Sequence, residues 1–121
     1  MKAKKYKLPW PPSMNTCWRS ICIKGQPRVI MSKKGREYRA AVIDSVQDET
    51  RPLESRLAVT IKVFPPDKRK RDLDNLPKAI LDGLMHGGVF VDDSQIDRLE
   101  IIRCEKVKGG RVEVTLKELK Q

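Results

Sequence analysis

The reactive side chains of this sequence concentrate between residues 67 and 93. Asp72 and Asp74 are two positions apart, so an extended segment turns both carboxylates the same way. Four consecutive cations, Lys68, Arg69, Lys70 and Arg71, precede them, and Asp92 and Asp93 follow further along. Such a set suits phosphodiester hydrolysis. That reaction needs a hard cation to neutralise the pentavalent phosphate and to lower the pKa of an attacking water. Magnesium takes a few carboxylates and keeps its other positions for water and phosphate oxygens. Neighbouring positive charge then holds a phosphate backbone that the carboxylates alone would repel.

Lys78 adds a further part. It lies four residues after Asp74, one helical turn along the same face, where an ammonium can stabilise charge developing on a phosphate oxygen. Each part also has an ordinary structural use. Asp74 is a good N-cap, and Asp72 favours a helix dipole. Asp74, Lys78 and Asp82 could be a row of surface ion pairs, Asp92-Asp93 a turn, and Lys68 to Arg71 a solvated loop tip. Spacing alone leaves both readings open. Competing motifs fail on inspection. An EF-hand starting at Asp72 needs a ligand where Leu76 stands and a glutamate where Gly83 stands. No glycine-rich phosphate loop is present, and the single histidine, His86, precedes two glycines without any triad signature.

The composition is consistent with a polyanionic partner. The chain has 121 residues, 26 Lys and Arg against 16 Asp and Glu, and a net charge of +10. Such an excess favours nucleic acid through release of condensed counterions. The length predicts one domain, residues 1–121, able to bury a core without metal or disulfide. Apolar content of 39 % is modest and charged content of 35 % is high, which leaves room for a second subunit to complete the core. Cys17, Cys22 and Cys104 lack the spacing of a zinc or redox motif and read as reduced thiols of a cytoplasmic protein. No run is long enough to span a bilayer, so no membrane partner is expected.

The elements that must position these residues can be read from period and punctuation. Tyr6, Leu8 and Trp10 alternate as a short strand, and Pro9, Pro11 and Pro12 then force an extended loop. Trp18–Ile23 and Arg28–Met31 are strands around Gly25-Gln26-Pro27. Ser32 caps a helix over roughly 33 to 48, ended before Arg51-Pro52. Arg56 to Phe64 alternates with Leu57, Val59, Ile61 and Val63 on one face, a half-buried strand. A helix is expected from about Asn75 to Met85, with Leu76, Ile80 and Leu84 inward and His86-Gly87-Gly88 as its stop. Val89 to Val91 is a short extended run leading into Asp92-Asp93, and the run 89 to 93 could fold back to bring Asp93 near Asp72 and Asp74. Arg98–Val107 and Arg111–Lys117 around Gly109-Gly110 predict a C-terminal β-hairpin. Together these give an α/β chain of the α+β type, a mixed sheet with two main helices packed on it.

Three ordered segments resemble RusA-type Holliday-junction resolvases. Arg71-Asp72-Leu73-Asp74-Asn75-Leu76-Pro77-Lys78-Ala79 is similar to that family's central Arg-Asp-Leu-Asp-Asn-Leu-x-Lys-Ala motif. Leu8-Pro9-Trp10-Pro11-Pro12-Ser13-Met14-Asn15 looks like its N-terminal segment, which makes Asn15 a secondary candidate. Gly88-Val89-Phe90-Val91-Asp92-Asp93-Ser94-Gln95 resembles its Asp-Asp-x-Gln segment, and Lys108-Gly109-Gly110-Arg111 its closing turn. Pro77 departs from the pattern at a position where a polar residue is common. The region from about 16 to 55 carries little of the likeness.

The resemblance implies a homodimeric, magnesium-dependent nuclease, often prophage-encoded, that resolves four-way DNA junctions without a small-molecule cofactor. By matching position it implies Asp72, Asp74 and Asp93 as metal ligands and Lys78 as the essential lysine. Asp92 becomes a neighbour, Asn75 an aid to positioning, and Lys68, Arg69, Lys70 and Arg71 the grip on DNA. Three alternatives stand beside it: a nuclease for flaps or forks, a non-catalytic branched-DNA binder, and a plain nucleic-acid-binding module.

Overall fold

The computed structural model describes residues 3–47 and 51–119. In chain order the elements are β1 (Ala3–Leu8), α1 (Met14–Cys17), β2 (Trp18–Ile23), β3 (Gln26–Met31), α2 (Lys33–Ser45), β4 (Leu57–Phe64), α3 (Pro77–His86), β5 (Ile96–Arg103) and β6 (Arg111–Glu118). Short 3-10 turns at Leu73–Asn75 and Asp93–Gln95 flank α3. The four-stranded sheet runs β1-β6-β4-β5, and β2 and β3 form a separate hairpin. β5 is parallel to β4, while β6 is antiparallel to both β4 and β1. This mixed sheet with helices makes the fold α+β.

The apolar face of β4 organises the core. Leu57, Val59, Ile61 and Val63 are each at most 1 % exposed. Each such side chain contributes roughly 1.5–3 kcal/mol when taken from water. Val112, Val114 and Leu116 of β6 share this core with Ile80 and Leu84 of α3 and Val42 of α2. The helices approach closely at Gly83, where an added Cβ would lie 2.7 Å from Val42 Cβ. Ser32 caps α2 through its hydroxyl, which accepts from the Gly35 N–H at 3.1 Å. Gly88 ends α3 at φ +83, with Val89 N–H donating to Leu84 and Gly88 N–H to Met85, the paired bonds of a Schellman stop.

Several expectations need correction. The first strand ends at Leu8 rather than Trp10, because Pro9 has no N–H to continue the ladder. The loop of Pro9, Pro11 and Pro12 runs to Ser13, whose hydroxyl accepts from Thr16 N–H and starts the short α1, an element not expected from the sequence. α2 stops at Ser45, and position 48, its expected last residue, lies outside the described residues. α3 begins at Pro77, two residues later than expected, after a 3-10 turn. In the run after α3, Phe90 makes a single parallel bridge to Leu53, secured by Leu53 N–H donating to Val89.

The expected C-terminal hairpin is also corrected. Its two strands form, but β4 lies between them. β4 is the most apolar strand, and with a partner on each edge it buries all its ladder groups. The glycine turn serves the crossing from β5 to β6. Gly109 and Gly110 have φ +79 and +71, and a Cβ on Gly110 would lie 3.0 Å from Trp10 Cβ.

Candidate active site

β4, α3 and β5 form a βαβ crossover, and the acidic loop leaves the C-terminal end of β4, a usual place for ligands in parallel connections. Pro65-Pro66 stops the strand, and Asp67 then organises the loop. Its carboxylate accepts from Arg69 N–H at 2.9 Å and pairs with the Arg71 guanidinium at 2.8 Å. The Arg71 side chain first, and the Arg69 N–H next, hold Asp67 down to about 2. Arg71 also lies 5.6 Å from the Trp10 ring centroid, and Arg103 donates to its carbonyl. Arg71 is thus a structural member of the loop, while Lys68, Arg69 and Lys70 stand exposed.

Asp72 occupies the N-cap of the Leu73–Asn75 turn yet makes no side-chain capping bond. Asp74 lies inside that turn, and the N-cap of α3 is Leu76. The helix-capping use of Asp74 is therefore not realised. Pro77 fills the first helical position, where its missing N–H costs nothing. Asp72 and Asp74 are both exposed. Asp72 and Asn75 line a cleft of about 350 Å³ with Trp10, Ser13, Lys70 and Arg71. The N-terminal proline-rich segment is thus one wall of the site, although Asn15 itself stands exposed on α1.

Lys78 does not join a row of ion pairs. Its ammonium lies 4.6 Å from the Trp18 ring centroid, at the base of the β2–β3 hairpin. Asp82, one turn on, is taken by Arg39 of α2 in a bidentate pair at 2.8 and 2.9 Å. His86 Nδ1 lies 3.4 Å from the same carboxylate. Asp93 faces this side of α3. Partial burial first, then the charges of Asp92 and Asp82, push its carboxyl above the usual value, while His86 and Lys78 pull it down.

The turn carrying Asp93 is anchored by Gln95, which is 7 % exposed. Gln95 Oε1 accepts from Val91 and Asp92 N–H, both at 2.8 Å. Its Nε2 donates to the Leu53 and Ser55 carbonyls, both at 2.9 Å. Asp92 accepts from Ser94 N–H at 2.9 Å and is held below its usual value first by the Ser94 side chain and then by that N–H. One acid of the pair is thus spent on capping and the other is left available. Among the described residues, no three Asp, Glu, His or Cys side chains converge closely enough to hold a metal ion. Asp72 and Asp74 share a loop before α3, and Asp93 lies against the Lys78–Asp82–His86 side.

Residues 9–117 match the family described as Endodeoxyribonuclease RusA. The chain belongs to the RusA family. It is 38 % identical over 121 residues to the crossover junction endodeoxyribonuclease of Enterobacteria phage HK97, covering 98 % of each chain. Against the Escherichia coli K12 protein of the same name identity is 34 %, again over 98 % of each. Against that of Enterobacteria phage 82 it is 35 % over 114 residues, 93 % of this chain and 92 % of the relative. The RusA match covers the cleft wall at Trp10, the acidic loop, α3 and the Gln95 turn together.

Sequence reasoning missed Asp67, Trp18, Arg39 and the anchoring role of Gln95. Arg39 and Asp82 are far apart in the chain, and no local pattern couples them. Asp67 was legible in principle, since an aspartate two residues before an N–H is a common turn former. Among the described residues, no helix is long and apolar enough to cross a membrane.

Proposed function

We propose that this protein is a magnesium-dependent endodeoxyribonuclease of the cytoplasm that cuts four-way DNA junctions, one domain over residues 1–121 acting as a homodimer. The observation that carries the reading is the pair of exposed, uncapped carboxylates, Asp72 and Asp74, beside a cleft and three exposed cations. These are hard oxygen donors open to solvent, which fits a magnesium ion that keeps several of its waters. Asp93 is added to them on the strength of the motif. When bound, the ion would polarise the scissile phosphate and lower the pKa of an attacking water.

The chain's own residues do the rest. Lys68, Arg69 and Lys70 hold the backbone on either side of the scissile bond. Arg71, locked by Asp67 and stacked near Trp10, keeps the loop at a fixed distance from the cleft wall. Asn75 orients a water or a carboxylate from within that cleft. Lys78, held over Trp18, presents its ammonium to the phosphate oxygens as charge develops on them. A four-way junction is close to two-fold symmetric, and an isologous dimer supplies two sites related by the same axis.

Asp72→Asn tests this directly. It should abolish magnesium-dependent cutting of a synthetic four-way junction while gel-shift binding without metal stays unchanged. Normal cutting by that variant would sink the mechanism. Flap and fork substrates in the same assay decide the substrate: faster cutting of either makes junctions secondary.

A further inference from the structure

Among the described residues, the main sheet has two free edges, β1 and β5. β1 is short and carries Lys4, Lys5 and Lys7, positive charges that keep a second edge away. Among the described residues the β2–β3 hairpin pairs with no further strand, and its Val29 is 67 % exposed. Its charged residues are Arg19, Lys24 and Arg28, all of one sign, so two copies of it repel. β5 is different. It is eight residues long, bears charges of both signs, and exposes Leu99 at 43 %.

The direction of its free backbone groups can be assigned. Cys104 N–H donates to the Val63 carbonyl at 2.8 Å. In a ladder the groups facing one neighbour alternate. Positions 98, 100 and 102 therefore face β4, and Leu99, Ile101 and Arg103 turn theirs to the open edge. Leu99 lies opposite Val59, so its side chain extends the core face of the sheet.

We infer that β5 is the surface by which two copies of this chain meet, pairing antiparallel about a two-fold axis at Leu99. The inference rests on the homodimer proposed above and names its interface. In this register Leu99 and the partner's Leu99 exchange both N–H···O bonds, and their side chains close the gap in the core face. Arg98 then stands opposite the partner's Glu100, and Glu100 opposite the partner's Arg98. These fall at non-hydrogen-bonded positions, where side chains come closest. Centring the axis on Glu100 sets two glutamates together, and centring it on Ile101 leaves both charges without an opposite partner. The Leu99 register is the one that sets Arg98 and Glu100 opposite each other. It joins two four-stranded sheets into a continuous one and removes the exposed edge.

The test combines crosslinking and charge exchange on the full chain, with Cys22 and Cys104 replaced by serine. Leu99→Cys should form a covalent dimer under mild oxidation. Only a residue on the axis meets its own copy, and a hydrogen-bonded antiparallel pair sits about 5.5 Å apart, within disulfide range. Val29→Cys on the hairpin should not crosslink. Arg98→Glu should weaken the dimer at least tenfold in sedimentation equilibrium, and adding Glu100→Arg to the same chain should restore it. A dimer that survives Arg98→Glu, or one that crosslinks through Val29→Cys and not Leu99→Cys, overturns the β5 interface but leaves the homodimer standing. A wild-type chain that is monomeric while cutting junctions overturns both.

Discussion

The two acid-bearing turns that flank α3 are built in opposite ways. The loop before the helix presents Asp72 and Asp74 without a capping bond, and its order comes from the Asp67–Arg71 pair at the surface. The turn after the helix carries Asp93 on a buried amide that bonds four backbone groups. In the first, the acids are open and the frame is ionic. In the second, the frame is a dehydrated hydrogen-bond network, and the acid sits partly buried beside Asp92 and Asp82. An open carboxylate can bind a cation at little cost. A partly buried one is poised by its neighbours, and its charge is more costly without a counterion.

The largest effects should separate the two turns by pairing activity with stability. Asp72→Asn should abolish junction cutting, and Asp93→Asn should lower it by about 10²–10³-fold. Only the second should change folding. Asp93 has a raised carboxyl pKa, so its contribution is fully present below the unfolded value and is lost as pH rises through the folded one. At neutral pH the ionised group is a liability. Asp93→Asn should therefore raise the thermal midpoint there, with the gain shrinking in acid. Equal midpoints for the two variants at neutral pH would break the comparison.

Gln95→Leu should come next. It strands backbone groups at Leu53, Ser55, Val91 and Asp92, and should cost about 3 kcal/mol in urea denaturation. Cutting should fall with the displacement of Asp93, while the acidic loop keeps its structure. The ionic frame of the other turn should respond to acid instead. Asp67 is depressed to about 2 from 3.8. Its stabilisation is present above the unfolded value and is lost as pH falls toward the folded one, so an NMR titration of that carboxyl should show a midpoint near 2. A midpoint near 3.8 would mean that Arg71 does not hold the loop. The smallest effect is expected from Asp92→Ala. It removes the cap on Ser94 N–H but leaves the Gln95 network, so the midpoint should fall slightly and cutting should persist.

Much of this was written locally. The period of Leu57, Val59, Ile61 and Val63 identified the central strand, and the same alternation is the buried face of β4. Ser32 and Gly88 marked helix ends because capping depends on a few adjacent residues. The pairing of Asp72 with Asp74, and the family motif around them, were legible because they are contiguous. Neighbours in the sheet were not. Gly109-Gly110 marks a turn in either topology, and only the competition for the edges of β4 decides that β5 and β6 lie on opposite sides of it. The same holds for Lys78. Its spacing from Asp74 and Asp82 suggested ion pairs, but Arg39 claims Asp82 and Trp18 takes the lysine, and both partners arrive from other elements.

The sequence by itself determined the chemistry on offer: which carboxylates, which cations, which strand and helix carry the core, and which family the pattern belongs to. Tertiary structure decided their duties. It assigned Arg71 to the loop frame, Asp92 to a cap and Gln95 to an anchor, and it set Asp93 among the charges of Lys78, Asp82 and His86. The reason is physical. Residue type and local period fix what a side chain can do, whereas burial and distant hydrogen-bond partners fix whether it is free to do it.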